Sequence, residues 1–335
     1  MIGPWPAILM EDEPVQIHKT AALAAALLAL TACGKDSSTP APVAPAPAEP
    51  PAAVAEPAAA PAMSAPAATP AATISNEQLR QVLAAQPTDV QARYGARNPY
   101  ETLVFFGIEP GMTVVEALPG GGWYSKILLP YLGSDGKVIG ADHPLEMLRL
   151  YGMFSEEQLE AKKTWPETWT ATAEGWRSDG SASVGAFVFG DLPADMHGTA
   201  DAVLLIRALH GPARFEGQGG FMTMIIEDSY NVLKPGGTLG VVQHAAREDM
   251  PDDWASGPAG YMKASAVIAA MEAAGFEFVG ESAVNENPLD QPTTDDAVWR
   301  LPPSLRVADP DNAELIEQNR TIGESNRMTL KFRKP

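Results

Sequence analysis

The chain has 335 residues and a single cysteine, so neither an internal disulfide nor a cysteine-rich zinc site can form. Its formal net charge is −19. A balance that acidic argues against nucleic acid as a partner, because phosphate binding needs clustered lysine and arginine. No run of 18 or more apolar residues occurs, so no membrane-spanning helix is expected.

Residues 21–32 form a short Ala/Leu run preceded by His18 and Lys19. Its length suits a signal-peptide hydrophobic region and is too short to cross a bilayer. It closes on Leu30-Thr31-Ala32-Cys33, which resembles the bacterial lipobox. That resemblance implies that residues 1–32 are a lipoprotein signal peptide and that Cys33 is lipidated. Several acyl chains at roughly 0.8 kcal/mol per buried CH₂ would hold the protein on a membrane. Gly34 rather than Asp after the cysteine implies, by analogy with lipoprotein sorting, an outer-membrane lipoprotein facing the periplasm. Glu11, Asp12 and Glu13 depart from the basic start of signal peptides. Without residues 1–32 the chain keeps 39 acidic against 22 basic residues and stays strongly acidic. An ordinary buried helix with a chance cysteine is the alternative.

Residues 40–72 hold 10 prolines and 16 alanines. Proline at that density blocks helix hydrogen bonds and favours extended polyproline II. Residues 33–75 therefore read as a disordered tether, the Pro/Ala stretch reaching roughly 100 Å at ~3.1 Å per residue.

Residues 76–335 form the folded part, long enough for one well-buried α/β domain. A polar helical stretch starts at Ser75 with Leu79, Val82 and Leu83 on one face, and Asn98-Pro99 breaks it. After a turn at Pro110-Gly111, Thr113–Glu116 reads as a buried strand. Trp123, Ile127 and Tyr131 then recur every four residues as a helix face, stopped by Gly133. Further strands read at Lys137–Asp142, Val184–Phe189, Ala202–Ile206 and Thr238–Gln243. Helical spacing marks 221–233, ended by Lys234-Pro235-Gly236-Gly237, and 261–274, ended by Gly275. Phe276 and Phe278, and Met328, Leu330 and Phe332, alternate as a terminal, partly antiparallel edge pair. Unbroken apolar strands alternating with helices predict a mostly parallel sheet covered on both faces.

Between the first strand and helix lies Leu118-Pro119-Gly120-Gly121-Gly122-Trp123. Glycines there let the backbone approach a ligand and adopt positive φ, and the helix N-terminus offers N–H groups to an anion. Three acidic residues sit at successive strand ends. Glu116 could contact the amino-acid end of a cofactor, Asp142 could accept both hydroxyls of a ribose, and Asp191 could take an adenine amino group.

The stretches Glu116–Ser125, Val232–Leu239 and Ala273-Ala274-Gly275-Phe276 resemble class I S-adenosylmethionine-dependent methyltransferases. Pro110–Glu116 with Gly121–Ser125, and the closing Leu330–Pro335, are similar to a branch of predicted, often exported bacterial methyltransferases with unassigned substrates. The resemblance covers about residues 76–335. It implies a Rossmann-like sheet of about seven strands with a reversed edge strand. It also implies S-adenosylmethionine as cofactor, contacted at Glu116, Gly120, Gly122, Asp142 and Asp191. Two departures stand out. Residues 144–183 are a long insertion carrying Trp165, Trp169 and Trp176, and no Asn-Pro-Pro-Tyr motif follows the fourth strand, which argues against methylation of nucleic-acid bases.

His210 follows the fourth strand and His244 the fifth, at the carboxyl edge where α/β folds bind ligands. Either suits a general base for an oxygen or nitrogen nucleophile; the plainer role is to orient loops or touch cofactor. A metal site from His143, His210 and His244 is not expected, because no ligand pair has i, i+4 spacing. The tryptophans read as packing of the insertion, with a lid over an aromatic or lipid substrate as the alternative. The sequence thus points to a membrane-tethered methyltransferase acting on a small-molecule or lipid-like acceptor. An inactive methyltransferase-fold binding module in the periplasm is the competing reading. A nicotinamide enzyme fits less well, since the loop lacks the third glycine of the dinucleotide fingerprint.

Overall fold

The computed structural model describes residues 70–335 except residue 308, and of residues 70–75 only the backbone. The signal peptide, the lipidated Cys33 and nearly all of the tether lie outside the described residues. Among the described residues no helix is long and apolar enough to cross a membrane.

Among the described residues four helices precede the sheet: α1 (Pro70–Ala84), α2 (Thr88–Gln91), α3 (Tyr94–Arg97) and α4 (Pro99–Phe106). α1 starts five residues before the Ser75 boundary read from sequence, and it buries Leu79 and Leu83, four apart. Asn98 at φ 42° makes the turn from α3 into α4, where Pro99 takes the first helical position and has no N–H to lose.

β1 (Thr113–Ala117), α5 (Ser125–Leu132) and β2 (Lys137–Asp142) follow the sequence reading closely. The insertion folds as α6 (Leu145–Leu150), α7 (Glu156–Lys162) and α8 (Trp165–Glu174) and delivers the chain to β3 (Ser183–Val188). β4 (Ala200–Ile206) leads through α9 (His210–Arg214), α10 (Glu216–Gly219) and α11 (Phe221–Val232) to β5 (Leu233–Ala246). A two-residue β6 (Met262–Lys263), α12 (Ala264–Ala273), β7 (Glu277–Glu281), α13 (Ala313–Ile322) and β8 (Arg327–Arg333) complete the chain.

The sheet order is β3-β2-β1-β4-β5-β8-β7, with β6 paired to β5 off that path. β1 to β5 are parallel, and β8 runs antiparallel to both β5 and β7. This mostly parallel sheet with its antiparallel terminal pair is Rossmann-like, as the resemblance implied. The reversed strand lies between β5 and β7, so β7 forms the rim.

Side chains alternate across each strand, and both faces are covered. Val115, Ile139, Val203 and Val241 join Ile225, Ile226, Val267 and Met271 of α11 and α12 in one core. Val114, Val138, Leu204 and Val242 join Leu103, Phe106, Ile127 and Leu128 of α4 and α5 in the other. Trp169 of α8 belongs to this second core because β2 carries glycine at 140. A Cβ there would meet the indole at 2.9 Å. β5 begins five residues earlier than the turn signal Lys234-Pro235-Gly236-Gly237 suggested. The Gly236 N–H donates to the Lys334 carbonyl and the Lys334 N–H to the Gly237 carbonyl, which draws the turn into the sheet.

Candidate functional site

β1, β2 and β3 end side by side, so Glu116, Asp142 and Asp191 reach the same carboxyl edge. The loop after β1 is built on positive φ at Leu118 (53°), Gly120 (52°) and Gly122 (76°). At Leu118 this conformation is costly for a residue with a Cβ. Gly122 is required for a second reason: a Cβ would run into the Trp176 ring.

The carboxylates are not equivalent. Glu116 is buried and accepts a 2.5 Å hydrogen bond from the Ser125 hydroxyl at the start of α5. Burial pushes its carboxyl up to about 8, and the Ser125 hydrogen bonds offset only part of that. Asp142 accepts the backbone N–H of His143 at 2.8 Å and pairs with Lys162 Nζ, at the end of α7, at 2.5 Å. Asp191 is exposed beyond β3, next to Gly190, whose N–H donates to Asp228.

Two adjoining cavities occupy this edge. The smaller, about 50 Å³, is lined by Leu118, Pro119, Gly120, Asp142, Trp165 and others. The larger, about 420 Å³, runs past Pro144, Val188, Phe189, Gly190, Asp191 and Met224. His143 and Lys162 line both. Of the residues expected to contact a cofactor, the structure thus brings Gly120 and Asp142 to one cavity and Asp191 to the next. Glu116 and Gly122 line neither; Glu116 is turned to Ser125 and Gly122 is covered by Trp176. Trp169 packs in the core and stacks on Trp165, so packing describes this insertion better than a lid of three indoles.

His210 and His244 come together at the ends of β4 and β5, ring centroids 5.5 Å apart. The Gln243 amide between them is oriented by its partners. Its Oε1 accepts the Leu209 N–H, and its Nε2 donates to the Gly260 carbonyl and faces His210 Nδ1 at 3.3 Å. His210 Nδ1 is therefore an acceptor, and the ring proton sits on Nε2. His244 Nδ1 lies 2.5 Å from the Ser325 hydroxyl. Burial holds His210 down to about 4 and His244 well below its ordinary value, so both rings are neutral at pH 7. Tyr261 and Trp299 stand 6.2 and 6.0 Å from His244 and His210 and make this side of the edge aromatic.

Sequence reasoning missed two groups, Lys162 and an ion-pair network, and named His143 only in a metal site it did not expect. His143 is buried with both ring nitrogens lacking a hydrogen-bond partner, and burial lowers it to about 4. Lys162 gave no signal, because its contact with Asp142 depends on how the insertion folds back. An ion-pair network joins Arg93 and Arg97 to Glu324 across more than two hundred residues and takes in Arg327, three residues beyond Glu324. Arg207, beside it at φ 57°, is lowered to about 10 by burial and by Arg327. No group of three or more His, Cys, Asp or Glu among the described residues could hold a metal ion.

The chain matches no protein-family model and no curated protein. Solved structures that it resembles include an arsenic(III) S-adenosylmethionine methyltransferase from Chlamydomonas reinhardtii, at 16% identity over 77% of this chain and 73% of that one, TM-score 0.41. A SAM-dependent methyltransferase from Aquifex aeolicus aligns at 16% identity over 78% and 98%, TM-score 0.41. The [4+2]-cyclase SpnF aligns at 17% identity over 72% and 81%, TM-score 0.43. The fold is defined by this chain's own strand order, and likenesses at TM-scores below 0.5 add nothing to it.

Proposed function

We propose that this protein is an S-adenosylmethionine-dependent methyltransferase acting on a small-molecule or lipid-like acceptor, held on a membrane by lipidated Cys33. The observation that supports the cofactor reading is the line of Gly120, Asp142 and Asp191 along two adjoining cavities at the carboxyl ends of β1, β2 and β3. Open α/β sheets bind ligands at that edge. The lining would serve most of the cofactor: Asp142 for two ribose hydroxyls, Asp191 for the amino group of the base and the loop backbone for the carboxylate, whereas Glu116 would reach the ammonium only by turning away from Ser125 and losing its proton. When bound, the cofactor supplies an electrophilic methyl group on its sulfonium.

The chain's own part is to align the acceptor and to take its proton. His244 is the better base of the pair. In the tautomer whose Nδ1–H donates to the Ser325 hydroxyl, the Nε2 lone pair is left for a nucleophile's proton, whereas His210 presents an N–H at Nε2.

A second reading, a non-catalytic binding module of the same fold, is favoured by Glu116, whose carboxyl faces Ser125 and lines neither cavity. Ultraviolet cross-linking of methyl-labelled S-adenosylmethionine to the full-length protein tests the first reading. Label in peptides spanning 118–124 and 188–191 is expected, and label confined to other peptides would remove the cofactor site proposed here.

A further inference from the structure

Lys162 belongs to α7, a short helix whose start is fixed by a capping box in which Ser155 accepts the Gln158 N–H and Gln158 accepts the Ser155 N–H. α7 lies against α6, whereas α8 lies against β2 and β3. Leu159 is the residue of α7 buried in the body, and Lys162 ties its far end to Asp142 at 2.5 Å. That ammonium is mostly shielded from water, at 17% exposure, and the carboxylate at 11%. Gly152, at φ 67°, joins α6 to α7 with exposed Met153 beside it, so the linker has room to turn.

Three independent observations place this contact in the way of a ligand. The carboxylate suited to ribose hydroxyls already holds a cation. The cavity at the glycine loop, about 50 Å³, is far below the ~300–1,000 Å³ of sites that hold cofactor-sized molecules. Lys162 and His143 also line both that cavity and the larger one, so removing the lysine side chain is expected to join them into a single cleft from Gly120 to Asp191. His143, buried with both nitrogens lacking a partner, is a cost of this arrangement that an opened cleft would relieve.

We infer that Lys162 is a latch: the Lys162–Asp142 ion pair keeps the nucleoside cleft closed, and an adenosyl ligand opens it by exchanging its ribose hydroxyls for the ammonium as α7 swings out. This inference rests on the cofactor reading above. Lys162 acts through Asp142 and is a positioning residue.

The test uses the full-length protein and S-adenosylhomocysteine as probe, with Lys162→Ala, Lys162→Arg and Asp142→Asn variants, followed by calorimetry and amide hydrogen exchange. Lys162→Ala is expected to bind about tenfold tighter than wild type, and Lys162→Arg, which keeps the ion pair, close to wild type. Ligand is expected to quicken exchange at 156–162 in the wild type while slowing it at 118–124. A purely structural lysine would not produce that opposite response. Binding by Lys162→Ala alone would also support the latch. Wild-type binding that is lost in Asp142→Asn but unchanged or weakened in Lys162→Ala, or exchange at 156–162 slowed by ligand, would overturn the latch and leave the cofactor reading intact. Binding by neither wild type nor Lys162→Ala would overturn both.

Discussion

Glu116→Gln is the most informative single change to the folded protein. In the wild type the carboxyl is buried and raised from 4.5 to about 8, with burial as the leading cause. The folded state therefore holds a proton that the unfolded chain gives up near pH 4.5. Stability from this group is fully present below about pH 4.5 and is lost as pH rises through about 8. At 1.36 kcal/mol per pH unit the full difference is roughly 4–5 kcal/mol, an upper bound because water reaching a buried charge reduces it. Glutamine keeps the shape and an acceptor for the Ser125 hydroxyl but does not ionise. Urea unfolding of wild type and variant from pH 5 to 9 should therefore give curves that diverge as pH rises. The variant should be the more stable by at least 2 kcal/mol at pH 9, on the order set by that linkage. Parallel curves would refute the buried, protonated carboxyl. The same chemistry links Glu116 to the proposed cofactor. An ammonium brought against it would expel the proton, so binding near pH 7 should show an enthalpy that changes with the buffer's ionisation heat.

Other consequences are equally direct. His143 and His210 are held near 4 in the fold against an ordinary 6.5, so the unfolded chain binds more protons between those values. Stability should fall as pH drops from 6.5 towards 4, and with Glu116 acting in the opposite sense it should peak near pH 6.5; a maximum at pH 8 or above would contradict these burial effects. Gly140→Ala pushes a Cβ into Trp169 and should cost about 2 kcal/mol in denaturant unfolding, in the range of overpacked cores. Once an acceptor is known, His244→Gln should lower turnover about a hundredfold or more, as loss of a general base does. His210→Gln should act mainly on acceptor affinity, and equal losses of turnover in both variants would remove the distinct roles given to the two rings.

Much of this was legible along the chain because it is local. The apolar runs of β1, β2 and β4 are buried on both faces, and strands of that kind carry their own signature. The glycine loop, Glu116, Asp142 and Asp191 are placed by the ends of those strands. The meeting of His210 and His244 required one further fact, that β4 and β5 are neighbours. What could not be read depends on distant pairing or on burial. The turn signal at Pro235-Gly236-Gly237 lost to backbone hydrogen bonds with Lys334, a hundred residues on. The position of β8 between β5 and β7 follows from those same pairings. The protonation of Glu116 is a property of its surroundings, and the Lys162–Asp142 contact depends on how the inserted helix α7 packs on α6 beside the end of β2.

The cleft itself is best tested by calorimetric titration of the full-length protein with S-adenosylmethionine and S-adenosylhomocysteine, beside Asp142→Ala. Micromolar binding of both compounds by the wild type, lost in the variant, is the expected result. Uptake of neither compound by the wild type or by Lys162→Ala would contradict the cofactor assignment and leave the binding-module reading in its place.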